Sequence, residues 1–286
     1  MKHLFSPLAK RQRARRANRR ASQLRDKGDC AAAIERYRRA IELDPSFSAP
    51  FYNLGLIHKY RAEWQAAFEA NLRATELSPK DQPSWWNLGI AATALGRWDV
   101  AREAWRGAGL EVPEGEGPLD LPCGYNPIRL DPAGAGETVW SHRLDPARAR
   151  LSNIPLADYC YGDVVLNDGA PVGYRELDGR DVPVFNCLAL LEPSQLSTWC
   201  VEISLDPSKL VDGEVAAFHE LEQLAKARGL AAEDWSRAPA DGTDAGPHRI
   251  AIAAHTRGEV NDLLEDWQPA RFGAEVGAVQ IGFSHA

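Results

Sequence analysis

The chain has 286 residues, 44% of them hydrophobic and 26% charged, with a net charge of −7. This length suits two domains better than one, and the composition is that of an ordinary water-soluble globular protein. No apolar run approaches the roughly 18 residues needed to cross a bilayer, and the opening "MKHLFSPLAKRQRARRANRR" lacks the apolar core of a secretory signal. The five cysteines are scattered and form no C-x-x-C pair. That pattern predicts reduced thiols in a cytoplasmic protein, with neither a disulfide framework nor a zinc site.

Residues 1–25 carry nine Lys or Arg and no acid, so the rest of the chain is strongly acidic. Residues 1–13 read as a basic arm running into a solvated helix. Without interleaved aromatics or a nucleic-acid motif, nucleic acid is not the expected partner. A helical stretch then ends at Pro45, another at Pro79 and a third at Pro113, 34 residues apart, in "AIELDP", "ATELSP" and "AGLEVP". The same period aligns Ala33, Ala67 and Ala101, and also Ala40, Ala74 and Ala108. Tyr37, Asn71 and Trp105 share a column, Leu54-Gly55 recurs as Leu88-Gly89, and Gly28, Ala62 and Gly96 mark the turns. Small residues let paired helices approach closely, and proline ends each unit.

These columns resemble the tetratricopeptide repeat. The resemblance implies an all-α solenoid of three helix-turn-helix units, 14–47, 48–81 and 82–113. The first unit departs from the pattern, with Arg20-Ala21 where the others have Leu-Gly, as a terminal capping repeat can. In this family the column of Phe51 and Trp85 wedges between the helices of a repeat. The column of Asn18, Tyr52 and Trp86 faces the concave groove. Carrying the groove columns across gives Arg15, Asn18, Ser22, Arg25, Tyr52, Leu56, Lys59, Tyr60, Trp86 and Ile90. Asn53 and Asn87 would hydrogen-bond a bound backbone, and Arg25 and Lys59 would supply charge. The resemblance thus implies a scaffold or adaptor of bacterial type that binds a protein or peptide partner through aromatic anchors. Chaperone-binding members of the family clamp a terminal carboxylate with Lys, Asn and Arg. Trp86 and Ile90 cannot, so a chaperone C-terminus is not the expected ligand.

Residues 114–136, rich in Pro and Gly, read as a linker, and either it or the domain after it is expected to cover the end of the helical stack. Residues 137–286 predict an α+β domain with a mixed or antiparallel sheet. Strands are expected at 138–144, 163–167, 182–190, 197–205, 248–255 and 277–283. Helices are expected at about 215–228, with Asp212 as a possible cap, and 259–267. The stretch "GETVWSHRLDPARARLSNIPLADYCYGDVV" resembles an uncharacterised bacterial domain, a likeness that implies no activity.

No catalytic set stands out, and neither a cofactor nor a metal is expected. "HELEQ" at 219–223 misses the zinc-peptidase H-E-x-x-H because Gln223 stands where a histidine is needed. Asp168-Gly169 reads as a turn. His142, His248 and His255 read as structural, while a triad with Cys160 or Ser197 stays open because catalytic partners need not be neighbours in sequence. Two alternatives to the scaffold remain. In one, the second domain binds or hydrolyses a small molecule and is delivered by the repeats. In the other, the acidic body neutralises a basic partner, as an immunity protein does.

Overall fold

A computed structural model describes residues 7–121, 123–134, 136–156, 158–210, 213–236 and 247–285; Asp212 lies outside them. Six helices come first: α1 (Pro7–Asp26), α2 (Cys30–Leu43), α3 (Ser48–Tyr60), α4 (Trp64–Leu77), α5 (Gln82–Ala94) and α6 (Trp98–Gly107). The basic segment 7–13 forms the first turns of α1. By internal contacts, the described residues up to 123, with 144–148 and 166–170, form one unit and the other described residues a second.

The helix pairs owe their close approach to the small-residue column. A β-carbon added at Gly89 would lie 2.6 Å from the Trp105 ring, and one at Gly55 would lie 2.3 Å from the Asn71 amide. Ala21 takes the equivalent place in the first hairpin, where Ala21 and the large Tyr37 belong to one buried cluster. Each hairpin turns at a left-handed residue: Gly28 (φ 84°), Ala62 (φ 54°) and Gly96 (φ 66°). Asp29 and Asp81 cap α2 and α5 by accepting the Ala32 and Ser84 amides.

After α6 the chain runs extended. Buried Arg102 on α6 donates to the carbonyls of Pro113 (3.0 Å) and Gly117 (3.1 Å), and Leu119 is 3% exposed. The predicted linker therefore folds against the last hairpin as far as Leu119. Its far end holds a strand, β1 (Tyr125–Arg129), which was not expected there.

The second unit is strand-rich. β1, β2 (Thr138–Arg143), β3 (Arg148–Leu151), β4 (Val164–Leu177) and β5 (Arg180–Glu192) close a barrel, with β1 meeting β5 in parallel at Ile128↔Phe185. There follow β6 (Ser197–Ser204), α7 (Gly213–Ala227), β7 (Ala231–Asp234), β8 (His248–Ala254), α8 (Arg257–Trp267), β9 (Glu275–Val276) and β10 (Gln280–Phe283). Their sheet runs β10-β6-β8-β7, antiparallel throughout, with β9 on β6. Apart from β9, this is the order of a split βαβ, ferredoxin-like arrangement. Its core gathers Ile203, Leu221, Ile250, Val260, Leu263 and Trp267. Two sheets thus stand where one was expected.

Candidate functional site

The expected groove residues fall into two sets within the first unit. Asn18, Arg25, Tyr52, Asn53 and Leu56 are half-buried. Arg25 donates to Asn53 Oδ1 (2.9 Å), and the Asn53 amide reaches Asn18 Oδ1 (3.4 Å). The second set is closed, contrary to the open surface expected of it. Lys59 is 3% exposed, Asn87 6% and Ile90 0%.

The reason is a buried carboxylate. Lys59 Nζ donates to Asp168 Oδ1 (2.8 Å) and to Asn87 Oδ1 (3.1 Å), and the Tyr60 hydroxyl donates to Asp168 Oδ2 (2.8 Å). Asp168 is itself 3% exposed. Burial lowers the Lys59 ammonium below the usual lysine range, with the Asp168 charge opposing. Burial likewise raises the Tyr60 phenol, and the Asp168 charge adds to it. A lysine this buried requires a counter-ion, and Asp168 is that ion. Tyr60 remains 58% exposed at the edge of the set.

Asp168-Gly169 is not a turn but lies within β4. Gly169 rests on the indole of Trp86, where an added β-carbon would come within 1.6 Å of Nε1. Neighbouring Asn167 donates its backbone amide to Ala147 O (2.7 Å) and its side chain to Pro146 O (3.3 Å). Arg148 pairs with Asp145 (2.6 Å), donates to Leu119 O, and stacks 4.9 Å over Trp98. The segments 144–148 and 166–170 are thus built into the helical unit. Sequence reading missed Arg148, Asn167, Asp168 and Gly169. The available signal was Lys59, a cation among aromatic and apolar groove positions; Glu63, four residues on, pairs with His58 and Arg61 instead.

The paired tryptophans separate as their 100° offset requires. Trp85 lies over Gly107 and donates to Pro79 O (2.8 Å). Trp86 is half-buried, edge-on to Trp105 at 5.3 Å between centroids.

In the second unit, His219 and Gln223 sit together on the exposed face of α7. His248 pairs with Asp234 (2.7 Å) and Glu214 (3.3 Å), His142 lies edge-on to Tyr125, and His255 is exposed. The Ser197 hydroxyl bonds to that of Ser284 (3.2 Å). Burial, reinforced by the Asp163 charge, pushes the Cys160 thiol up to about 11, the opposite of an activated nucleophile. A cleft of about 810 Å³ is lined by Tyr125, Trp140, Asn153, Tyr161, Lys226 and Glu233.

The first unit, three helical hairpins with matched small and large columns, is a helical-repeat solenoid. Its residues 21–59 match the family model described as "TPR repeat", and the six-helix arrangement is consistent with tetratricopeptide repeats. Among solved structures, the second TPR of Spaghetti (RPAP3) bound to the HSP90 peptide SRMEEVD is 21% identical. It covers 34% of this chain and 91% of that one, with a TM-score of 0.33. The Arabidopsis OM64 TPR domain is 17% identical and covers 35% of this chain and 82% of that one, with a TM-score of 0.33. No curated protein matches the chain. Among the described residues, no helix is long and apolar enough to cross a membrane.

Proposed function

We propose that this protein is a cytoplasmic interaction scaffold whose repeat groove takes an extended, acidic segment of a partner protein. The observation behind this reading is how the groove treats Asp168: a carboxylate on extended backbone, held by Lys59 and Tyr60, with Trp86 against the next residue. The half-buried set of Asn18, Arg25, Tyr52, Asn53 and Leu56 offers the same chemistry, an arginine flanked by amides and an aromatic. Exposed Arg15 and Arg19 lie beside Asn18 and Arg25 on α1, so the partner segment is acidic.

Binding of an array of acidic and basic peptides to the full chain tests this reading. Acidic peptides are expected to be retained, with at least a tenfold loss in Arg25→Glu and in Tyr52→Ala. Equal retention of acidic and basic peptides, or retention unchanged in both variants, refutes it. Trp86→Ala is expected to change retention less, because Gly169 covers that indole.

A second reading, small-molecule binding by the second unit, rests on the cleft beside Glu233. This carboxylate accepts from Asn153 Nδ2 (2.9 Å) and the Ile154 amide (3.0 Å), yet burial raises it to about 6. A raised pKa favours the neutral form. Its stabilising contribution is complete below the unfolded value near 4.5 and is lost as pH rises through 6. Glu233→Gln keeps an acceptor for both donors and removes the charge. It is expected to stabilise the protein by about 1–2 kcal/mol at pH 8 and by little at pH 4.5, as read by urea unfolding at the two pH values. A small-molecule panel screened by thermal shift at pH 8 tests the binding role. This reading expects a stabilising ligand whose effect is lost in Glu233→Gln, and it fails without one.

A further inference from the structure

We propose that Cys160, Asp163 and His285, in the second unit, bind a zinc-class divalent ion. The sulfur, a carboxylate oxygen and an imidazole nitrogen all lie within 4.8 Å of one another. A tetrahedral ion about 2.0–2.2 Å from nitrogen and oxygen and about 2.3 Å from sulfur spaces its ligand atoms roughly 3.3–3.8 Å apart. The three donors therefore reach that spacing with shifts of roughly 1 Å or less. His285 Nε2 and Asp163 Oδ2, now 2.8 Å apart, open slightly.

Charge and chemistry select the ion. A divalent cation neutralises one thiolate and one carboxylate, which suits a site where Cys160 and Asp163 are fully buried. A sulfur, nitrogen and oxygen set favours zinc over magnesium or calcium, which take oxygen. On binding, the Cys160 thiol releases its proton to solvent. His285 coordinates as neutral imidazole and gives up its hydrogen bond to Asp163.

The surroundings already hold the donors in place. Asp163 Oδ2 accepts the Cys160 amide (2.8 Å) and Oδ1 the Ser194 amide (2.7 Å), fixing the carboxylate. The Cys160 sulfur sits beside the backbone of Thr198 and His285. Beside it lies the buried Thr198 hydroxyl, in a residue 1% exposed. The His285 side chain is 18% exposed, which gives the ion a route in. Spacing hides the site in the sequence, since the third donor stands 122 residues after the second.

The full chain, stripped with EDTA and passed through gel filtration after one equivalent of Co²⁺ or Zn²⁺, provides the test. Wild type is expected to retain about one ion and, with cobalt, to show a thiolate-to-metal charge-transfer band. Cys200→Ser should behave likewise. Cys160→Ser should lose the band, and His285→Ala, altered beyond the last strand, should bind at least tenfold more weakly with unchanged circular dichroism. Failure of wild type to retain an ion overturns the proposal. So does a folded His285→Ala protein that binds as tightly as wild type with the same band.

Discussion

Lys59→Met is expected to destabilise the helical unit by about 3–5 kcal/mol, because it leaves Asp168 charged and buried without its counter-ion. The Tyr60 hydroxyl and the Gly169 amide would still donate to Asp168 (both 2.8 Å), but neither carries charge. Removing both charges in Lys59→Met/Asp168→Leu should recover most of the loss, since an apolar replacement of a buried pair is often neutral. Urea unfolding of the two single variants and the double variant measures the coupling, and amide exchange at 166–170 shows whether that segment loosens first. A double variant as unstable as Lys59→Met would show that the pair is not the source of the cost. The comparison also bears on function. If a partner's carboxylate displaces Asp168, Lys59→Met weakens that binding, while Asp168→Asn strengthens it by weakening the internal competitor.

The helices were legible because their pattern is internal and periodic. Three prolines, the Leu-Gly pairs and the large column recur every 34 residues, and the same columns meet in space as Gly89 on Trp105 and Gly55 on Asn71. The strands were legible where apolar stretches carrying β-branched residues are bounded by turn residues, as in β5, β6 and β8. They were missed where local chemistry points elsewhere. β1 reads "YNPIR", and its Pro127 argues against a strand. β7 reads "AAED", with no β-branched residue. Asp168-Gly169 has turn composition, yet β4 runs through it because only a residue without a side chain fits against Trp86. The groove columns followed from family resemblance, but their occupancy did not. Lys59 meets a carboxylate 109 residues away, and in an acidic chain nothing local distinguishes that aspartate from the others.

Trp105→Ala is expected to cost about 3–5 kcal/mol, the range for emptying a fully buried aromatic site. Trp105 is the largest side chain with no exposure in the helical unit. It fills the gap that Gly89 leaves and braces Trp86 edge-on, at 70° between ring planes. The companion change, Gly89→Ala, sets two effects against each other. Alanine gains up to about 1 kcal/mol over glycine inside a helix, but its methyl group would lie 2.6 Å from the indole carbons. Overpacking of that kind costs about 1–3 kcal/mol, so the clash wins and the single variant is destabilised. In the Trp105→Ala protein the indole is gone and the methyl group enters vacated space. There the same Gly89→Ala change should stabilise by about 0.5–1 kcal/mol. A reversal of sign between the two backgrounds, measured by urea unfolding, would demonstrate that glycine stands at position 89 for the sake of Trp105. An equal destabilisation in both would place the cost in the α5 backbone instead, and the paired-column account of this repeat would fail.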